Sequence, residues 1–483
     1  MLEKLETGYE TVIGLEVHAQ LLTASKLFSG DSAVFGSEPN THISPIVLAH
    51  PGTLPMLNKK AVEYAVKLGL ACHCKITTHN YFARKNYFYP DLPKGYQISQ
   101  HTTPVCVGGY VSIKSAEGKK NIELNRIHLE EDAGKSIHDV DDTATCLDYN
   151  RAGVALVEIV TEPCLSSADE AYAYLTELRK ILRYLEVCDG NMEEGSMRCD
   201  ANISVRKKGE TQLGTKVEVK NLNSIRNVKR AIEFESERLV KILEYGDRVI
   251  QQTRSFDANT GTTFALRTKE EANDYRYFPD PDLVPFEVTE ETIQNIRSSI
   301  PALPEERIAL YTSKYSLPEY DAAVITEEIE LADYYEQVIK VTTNYKAASN
   351  WLLGPVKSYL NNNSITITDF LLPPTVIAEL IQLNDEGKVN FSAASSVIFP
   401  AMIKESGKTA IQVATEKNLI QDAGEDEVSN WVEEVLNKMP DKVSEYRKGK
   451  KGLMGLFVGE VKRVSKGKAD PKLTNEILLQ KLK

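Results

Sequence analysis

No stretch of this 483-residue chain is apolar over anything like the roughly 20 residues that a membrane helix needs, so no membrane partner is expected. The first ten residues are acidic and have no apolar core, which argues against both a secretory signal and an Arg-rich transit peptide. Cysteine is sparse: seven residues, an odd and scattered set, fit a reducing cytoplasm better than a disulfide framework. Cys72-His73-Cys74 has the look of a metal fragment, but no second pair stands at zinc-finger spacing, so a structural zinc is not expected. Nucleotide fingerprints are missing too. There is no G-x-G-x-x-G. Gly134-Lys135-Ser136 and Gly407-Lys408-Thr409 carry the end of a phosphate loop, but the glycine required five positions earlier is Leu129 in one and Met402 in the other. Any nucleotide must therefore bind on a less common fold. Internal repeats and long low-complexity segments are also absent.

The net charge of −12 counts against a nucleic-acid partner, yet it hides an asymmetry. Residues 441–483 hold 12 Lys and Arg against 5 Asp and Glu. A basic tail on an acidic body fits a phosphate-backbone contact confined to the tail, and it fits a solvated lysine-rich surface equally well. Hydrophobic content of 42% and charged content of 26% are those of a globular protein, and the length calls for two to four domains.

The chain is organised around Arg126-Ile127-His128-Leu129-Glu130-Glu131-Asp132-Ala133-Gly134-Lys135, where three carboxylates in a row follow a strand-like lead-in. Carboxylates held together repel, at a cost that a cation or a shared proton must offset. Period-two alternation recurs elsewhere and predicts strands with one wet face. From Ile13, residues Leu15, Val17, Ala19 and Leu21 oppose Glu16, His18 and Gln20. Cys199, Ala201, Ile203 and Val205 oppose Arg198, Asp200, Asn202 and Ser204, and Val217 and Val219 oppose Lys216, Glu218 and Lys220. Val154–Val160 is a continuous apolar run with Glu158 inside it, and a buried carboxylate needs a cation, a metal, a proton or an arginine partner. Arg84–Gln97 crowds cations, aromatics and prolines into a segment that cannot be regular helix, suited to an anion or base contact or simply to a packed surface loop. Ser166–Val187 and Ile225–Tyr245 read as amphipathic helices, the second ending at Gly246. From Pro301 onward the pattern is mostly helical, broken at Gly424 and Pro440.

The fold expected is α+β: a mainly antiparallel cradle over residues 1–293, an all-helical domain over 294–405 and a small helical tail over 406–483. The wet strand faces carry a mixture of His, Asp, Glu, Asn, Arg and Lys that plain exposure to water does not require, so they are expected to line a cavity. Glu16, Glu130, Glu131, Glu158 and Asp200 with His18 are mainly hard oxygen donors, which favours Mg²⁺, with Mn²⁺ as the alternative, over zinc. Lys85, Arg198, Lys216 and Lys220 are expected to neutralise phosphate oxygens. Metal, cations and a positioned acceptor make up a phosphoryl-transfer kit.

Val12 to His18, Arg84 to Pro90, His128 to Lys135, Met192 to Asn202 and Asp274 to Pro279 resemble the B subunit of the tRNA-dependent amidotransferases, over nearly the whole chain. The resemblance implies a ligase that uses ATP and Mg²⁺ to phosphorylate the side-chain carboxylate of Glu-tRNA(Gln) or Asp-tRNA(Asn). Ammonia then displaces the phosphate, giving Gln-tRNA(Gln) or Asn-tRNA(Asn). It also implies a heterotrimer, with an amidase A subunit supplying ammonia from glutamine through a channel and a small C subunit clasping the two, and a tail that touches tRNA. It assigns Glu16, His18, Glu130, Glu131, Glu158 and Asp200 as metal or channel-mouth ligands. The chemistry is consistent: a carboxylate is a poor acyl donor until an acyl phosphate provides a leaving group. Two other readings stand beside it, a non-catalytic tRNA-binding scaffold and a metal-dependent phosphoesterase or nuclease that shares the ligands.

Overall fold

The computed structural model describes residues 8–138, 140–141, 143–268, 275–405, 407–420, 425–465 and 468–483. Asp274, at the start of the last resembling segment, and Gly424 lie outside the described residues. The chain forms two compact units, Met1–Pro304 and Glu305–Lys483.

The first unit is built on a ten-stranded sheet. Its site-bearing strands and their neighbours are, in chain order, β1 (Tyr9–Gln20), β2 (Lys75–Ile76), β3 (Ala83–Asn86), β4 (Tyr96–Ser99), β5 (Cys106–Val107), β6 (Tyr110–Ser115), β7 (Gly118–Glu131), β8 (Ala155–Thr161), β9 (Met197–Lys207), β10 (Val217–Leu222), β11 (Gln252–Asp257) and β12 (Thr262–Thr268). The order across the sheet is β12-β11-β10-β9-β1-β8-β7-β5-β2, with β6 paired on β7. β10 and β11 run parallel and the other pairs antiparallel. β3 and β4 stand apart in a small sheet with Phe278–Pro279, so the segment expected as a loop is two short strands joined by 87–95.

One face of the large sheet is apolar. Leu15, Val17 and Ala19 of β1, Val157 and Ile159 of β8, and Ala201 and Ile203 of β9 are fully buried there. They pack with helices α1 (Lys59–Ala71), α2 (Ala168–Tyr184) and α3 (Ile225–Glu244). A serine caps each of the longer helices: the Ser167 side chain accepts from the Glu170 amide, and Ser224 from the Asn227 amide. The second ends as expected at Gly246, whose φ of +82° suits glycine. Gly109, with φ +92°, joins β5 to β6; a Cβ there would stand 2.4 Å from the Cys72 carbonyl oxygen. With helices covering one face, the polar residues of the same strands are left together on the other.

The compact sheet unit extends to Pro304, and Ile293 and Ile296 of α4 (Glu290–Ser298) pack into the sheet core. In the second unit the helix Ala410–Glu416 places Ala410, Val413 and Ala414 in the core that begins at Tyr311. A separate small core gathers Val428, Val432, Phe457 and Leu478. Among the described residues no helix is long and apolar enough to cross a membrane.

Candidate active site

Register turns four separate sequence segments into one surface. Across the sheet, His128 of β7 lies opposite Glu158 of β8, Glu158 opposite His18 of β1, and His18 opposite Arg198 of β9. The next row sets Arg126 opposite Val160, Val160 opposite Glu16, and Glu16 opposite Asp200. Directly opposed side chains on one face are neighbours about 5 Å apart, so each row is a line of contacts. β9 also pairs with β10, where Asn202 lies opposite Glu218.

Among the described residues two donor groups result. His18, Glu130 and Glu158 bring one ligand atom each within 4.8 Å of one another, and so do Glu16, Asp200 and Glu218. They share the strand β1, which sends His18 to one group and Glu16 to the other. In the first group His18 Nε2 is 3.7 Å from Glu130 Oε1 and 3.5 Å from Glu158 Oε2. His128 Nε2 lies beside them, 3.7 Å from Glu130 Oε2 and 3.4 Å from Glu158 Oε2. Burial alone would push the His128 imidazole down, but Glu158 and Glu130 outweigh it and raise its pKa to about 9. His18 is raised on the same balance, burial against Glu158. Burial works against the Glu158 carboxylate, and the two imidazoles hold it well below the usual range.

In the second group Asn202 Nδ2 donates to Glu16 Oε1 at 2.9 Å, and Lys220 pairs with Asp200 and Glu218. Burial first, then Glu158 and Asp200, raise the Glu16 pKa. Three carboxylates around one ammonium retain negative charge. That surplus, in a half-buried setting of oxygen donors, fits a divalent ion of the magnesium type.

Lys85 of β3 joins the first group. Its ammonium stands 5.0 Å over the Tyr275 ring. Burial would lower its pKa, but Glu130, Tyr277 and Glu158 raise it beyond the ordinary lysine range. Arg198 is committed differently: its Nη2 donates to Asp132 Oδ2 at 2.9 Å. Asp132 also accepts from Gln20 Nε2 at 2.7 Å, and against the effect of burial Arg198 and Arg151 keep it ionised.

Two residues expected from sequence are not brought in. Glu131 alternates to the side opposite Glu130. It pairs with Lys94, its Oε1 accepts from the Ile98 amide at 2.8 Å, and it lines a separate cavity of about 130 Å³. It belongs to neither donor group. Lys216 precedes β10 and is exposed, and among the described residues no hydrogen bond or ion pair joins it to either group. Conversely, His128 and Glu218 join the site without having been singled out by the sequence pattern. Each alternates with an expected residue, Glu130 and Lys220 respectively, and that same-face spacing is the signal that marks them. The cysteines stay out. Burial pushes the thiols of Cys72 and Cys106 well above their ordinary range and that of Cys74 to about 12, and neither donor group contains one.

The raised imidazoles give the metal-free protein a pH signature. Because the pKa of His128 is higher folded than unfolded, its contribution is complete below about 6.5 and lost as pH rises through about 9. Lys26, which burial lowers to about 8, works in the opposite sense above that pH. The difference between wild type and His128→Gln therefore isolates the effect. In chelator, calorimetry is expected to show the wild-type advantage shrinking from about pH 6.5 to about 9.5; a constant difference would refute the charge assignment.

Residues 11–294 match the GatB/GatE catalytic domain family, and residues 333–482 match the GatB domain family. The chain is 50% identical to a protein of Thermodesulfovibrio yellowstonii over 475 residues, 98% of this chain and 99% of the relative. It is 50% identical to one of Geotalea daltonii over 477 residues and 49% to one of Geobacter sp. over 479 residues, with the same shares covered. All three relatives are described as the B subunit of an aspartyl/glutamyl-tRNA(Asn/Gln) amidotransferase.

Proposed function

The chain belongs to the GatB family of tRNA-dependent amidotransferase B subunits, and from that premise we propose that its polar sheet face carries out the ATP-dependent activation step that converts misacylated Glu-tRNA(Gln) or Asp-tRNA(Asn) into Gln-tRNA(Gln) or Asn-tRNA(Asn). The observation that carries this reading is the pair of donor groups on either side of β1, His18/Glu130/Glu158 and Glu16/Asp200/Glu218. A scaffold that only held tRNA would have no use for so many carboxylates gathered on one half-buried face.

Mg²⁺, or Mn²⁺ in its place, would be held by those two groups. When bound, it supplies charge neutralisation for phosphoryl oxygens in a site of low dielectric. The chain's own residues do the rest. Lys85, kept protonated beside Glu130 and Glu158, presents a fixed ammonium to an incoming anionic oxygen. Lys220 does the same beside Asp200 and Glu218. Arg198 and Asp132 lock together and fix the end of β9 against the turn after β7, so that the row of opposed side chains keeps its register. The amide nitrogen comes from glutamine, which implies partner subunits: an amidase A subunit and a small C subunit in a heterotrimer, working in the cytoplasm.

The test is to purify the chain with co-expressed A and C subunits and assay both misacylated tRNAs with ATP, Mg²⁺ and glutamine. Amide formation strictly dependent on ATP supports the reading; tRNA or ATP hydrolysis without glutamine supports a phosphoesterase instead. The basic tail is assigned to tRNA. Because Ala410, Val413 and Ala414 belong to the middle core, a protein ending at residue 420 is expected to fold and to lose tRNA affinity at least about tenfold while keeping ATP affinity. One ending at residue 405 is expected to lose stability as well, which thermal denaturation distinguishes.

A further inference from the structure

Arg126 stands on the polar face without a carboxylate opposite it. Its sheet neighbours are Val160 on β8 and Val107 on β5. Its Nε is buried and has no hydrogen-bond partner, and no ion pair involves it among the described residues. The cations nearest the donor groups do have acidic or aromatic partners: Arg198 has Asp132, Lys220 has Asp200 and Glu218, and Lys85 sits over Tyr275. A half-buried guanidinium left in this way is prepared for an external anion, most favourably the planar two-oxygen edge of a phosphate.

The Tyr277 phenol lies within the range of the Arg126 charge. Tyr277 is stacked on His101, ring centroids 4.1 Å apart and planes 6° from parallel, and His101 is exposed. Tyr275 meets Tyr277 edge-on at 6.0 Å and holds Lys85 on its face, which leads to Glu130 and Glu158. An arginine for a phosphate, a ring stack for a base and a route of aromatic and cationic side chains toward the donor group together describe a nucleotide that carries an acid.

We propose that His101, Tyr277 and Arg126 seat the terminal adenosine of the tRNA acceptor strand, the base against the ring stack and its 5′-phosphodiester on the guanidinium, so that the esterified acid points toward Lys85 and Glu158. The proposal rests on the amidation reading of the same face. The competing source of an adenine and a phosphate is ATP. One guanidinium matches one singly charged phosphodiester, whereas a triphosphate calls for the density of metal donors and lysine found on the other side of β1, at Glu16, Asp200, Glu218 and Lys220.

The experiment uses the complete complex with its partner subunits. Arg126→Gln and Tyr277→Ala are each expected to raise the KM for misacylated tRNA about tenfold, the loss of one phosphate contact or one stacked base, with the ATP KM within about twofold of wild type. For Arg126→Gln the dependence of log KM on log salt is expected to flatten by roughly 0.7 to 1, a change that a general loss of stability would not produce; Arg126→Lys restores the slope. Tyr277→Leu, which keeps an apolar side chain but cannot stack, replaces the alanine variant if that one does not fold. An unchanged tRNA KM in both variants overturns the proposal, and so does a raised ATP KM, which would hand the seat to ATP. Failure of the underlying reading looks different: the wild-type complex would then form no amide, or Glu158→Gln would amidate at the full rate.

Discussion

Replacing Glu158 by glutamine is expected to lower ATP-dependent amidation by at least about 100-fold while misacylated tRNA still binds; even loss of a group that only supports a metal ligand costs about 10- to 100-fold. The substitution keeps shape and volume and removes one negative charge. That charge sits within the four-strand row, opposite both His18 and His128. Its oxygen is 3.5 Å from one imidazole and 3.4 Å from the other. Without it the first donor group drops from three donor residues to two, and the field that keeps His18 and His128 protonated is weakened. Mn²⁺ titration of the purified complex should then show one bound ion fewer than wild type. Asp200→Asn should remove the other ion and leave the first. Activity near wild type in Glu158→Gln, with the ion count unchanged, would remove the metal assignment.

Glu131→Gln is expected to give the opposite pattern: an unchanged ion count and a stability loss of about 3–5 kcal/mol, the usual cost of breaking a buried ion pair from one side. The Lys94 side chain is only 15% exposed and has Glu131 as its carboxylate partner. The Ile98 amide donates to the same carboxylate, and the Gln97 side chain to the Glu131 carbonyl. An uncharged side chain leaves the Lys94 ammonium largely buried without its counter-charge and loosens β4 from the end of β7. Urea denaturation gives the stability and Mn²⁺ titration the count. A lost ion with unchanged stability would return Glu131 to the metal site, as the acidic triplet in the sequence suggests. The pair of variants thus separates the roles of two glutamates that start from the same expectation.

That separation is already implicit in the chain. Neighbouring residues of a strand face opposite sides, so Glu130 and Glu131 cannot both reach one ion from regular β structure. Treating the triplet as a cluster overrides the alternation that holds for β1, β9 and β10. The same rule groups His128 with Glu130, and Glu218 with Lys220. Lys216 fails for a different reason: it keeps the face parity of its neighbours but lies before the strand begins, where parity no longer fixes direction.

The sequence by itself determined what is local. Period two placed Glu16 and His18 on one side of β1, amphipathic patterning marked the two long helices and a terminal glycine ended the second, and an unaccompanied Glu158 in an apolar run announced that it needed a partner. Only the tertiary structure decided which partner. Antiparallel register set Glu158 between His18 and His128 and Asp200 beside Glu16, joining residues that are far apart along the chain. Register depends on how whole strands bury their apolar faces under the helices, and a shift of one residue would turn every one of these donors to the other side. The cores were assembled the same way: Ile296 joins the sheet core and Val413 the core that begins at Tyr311.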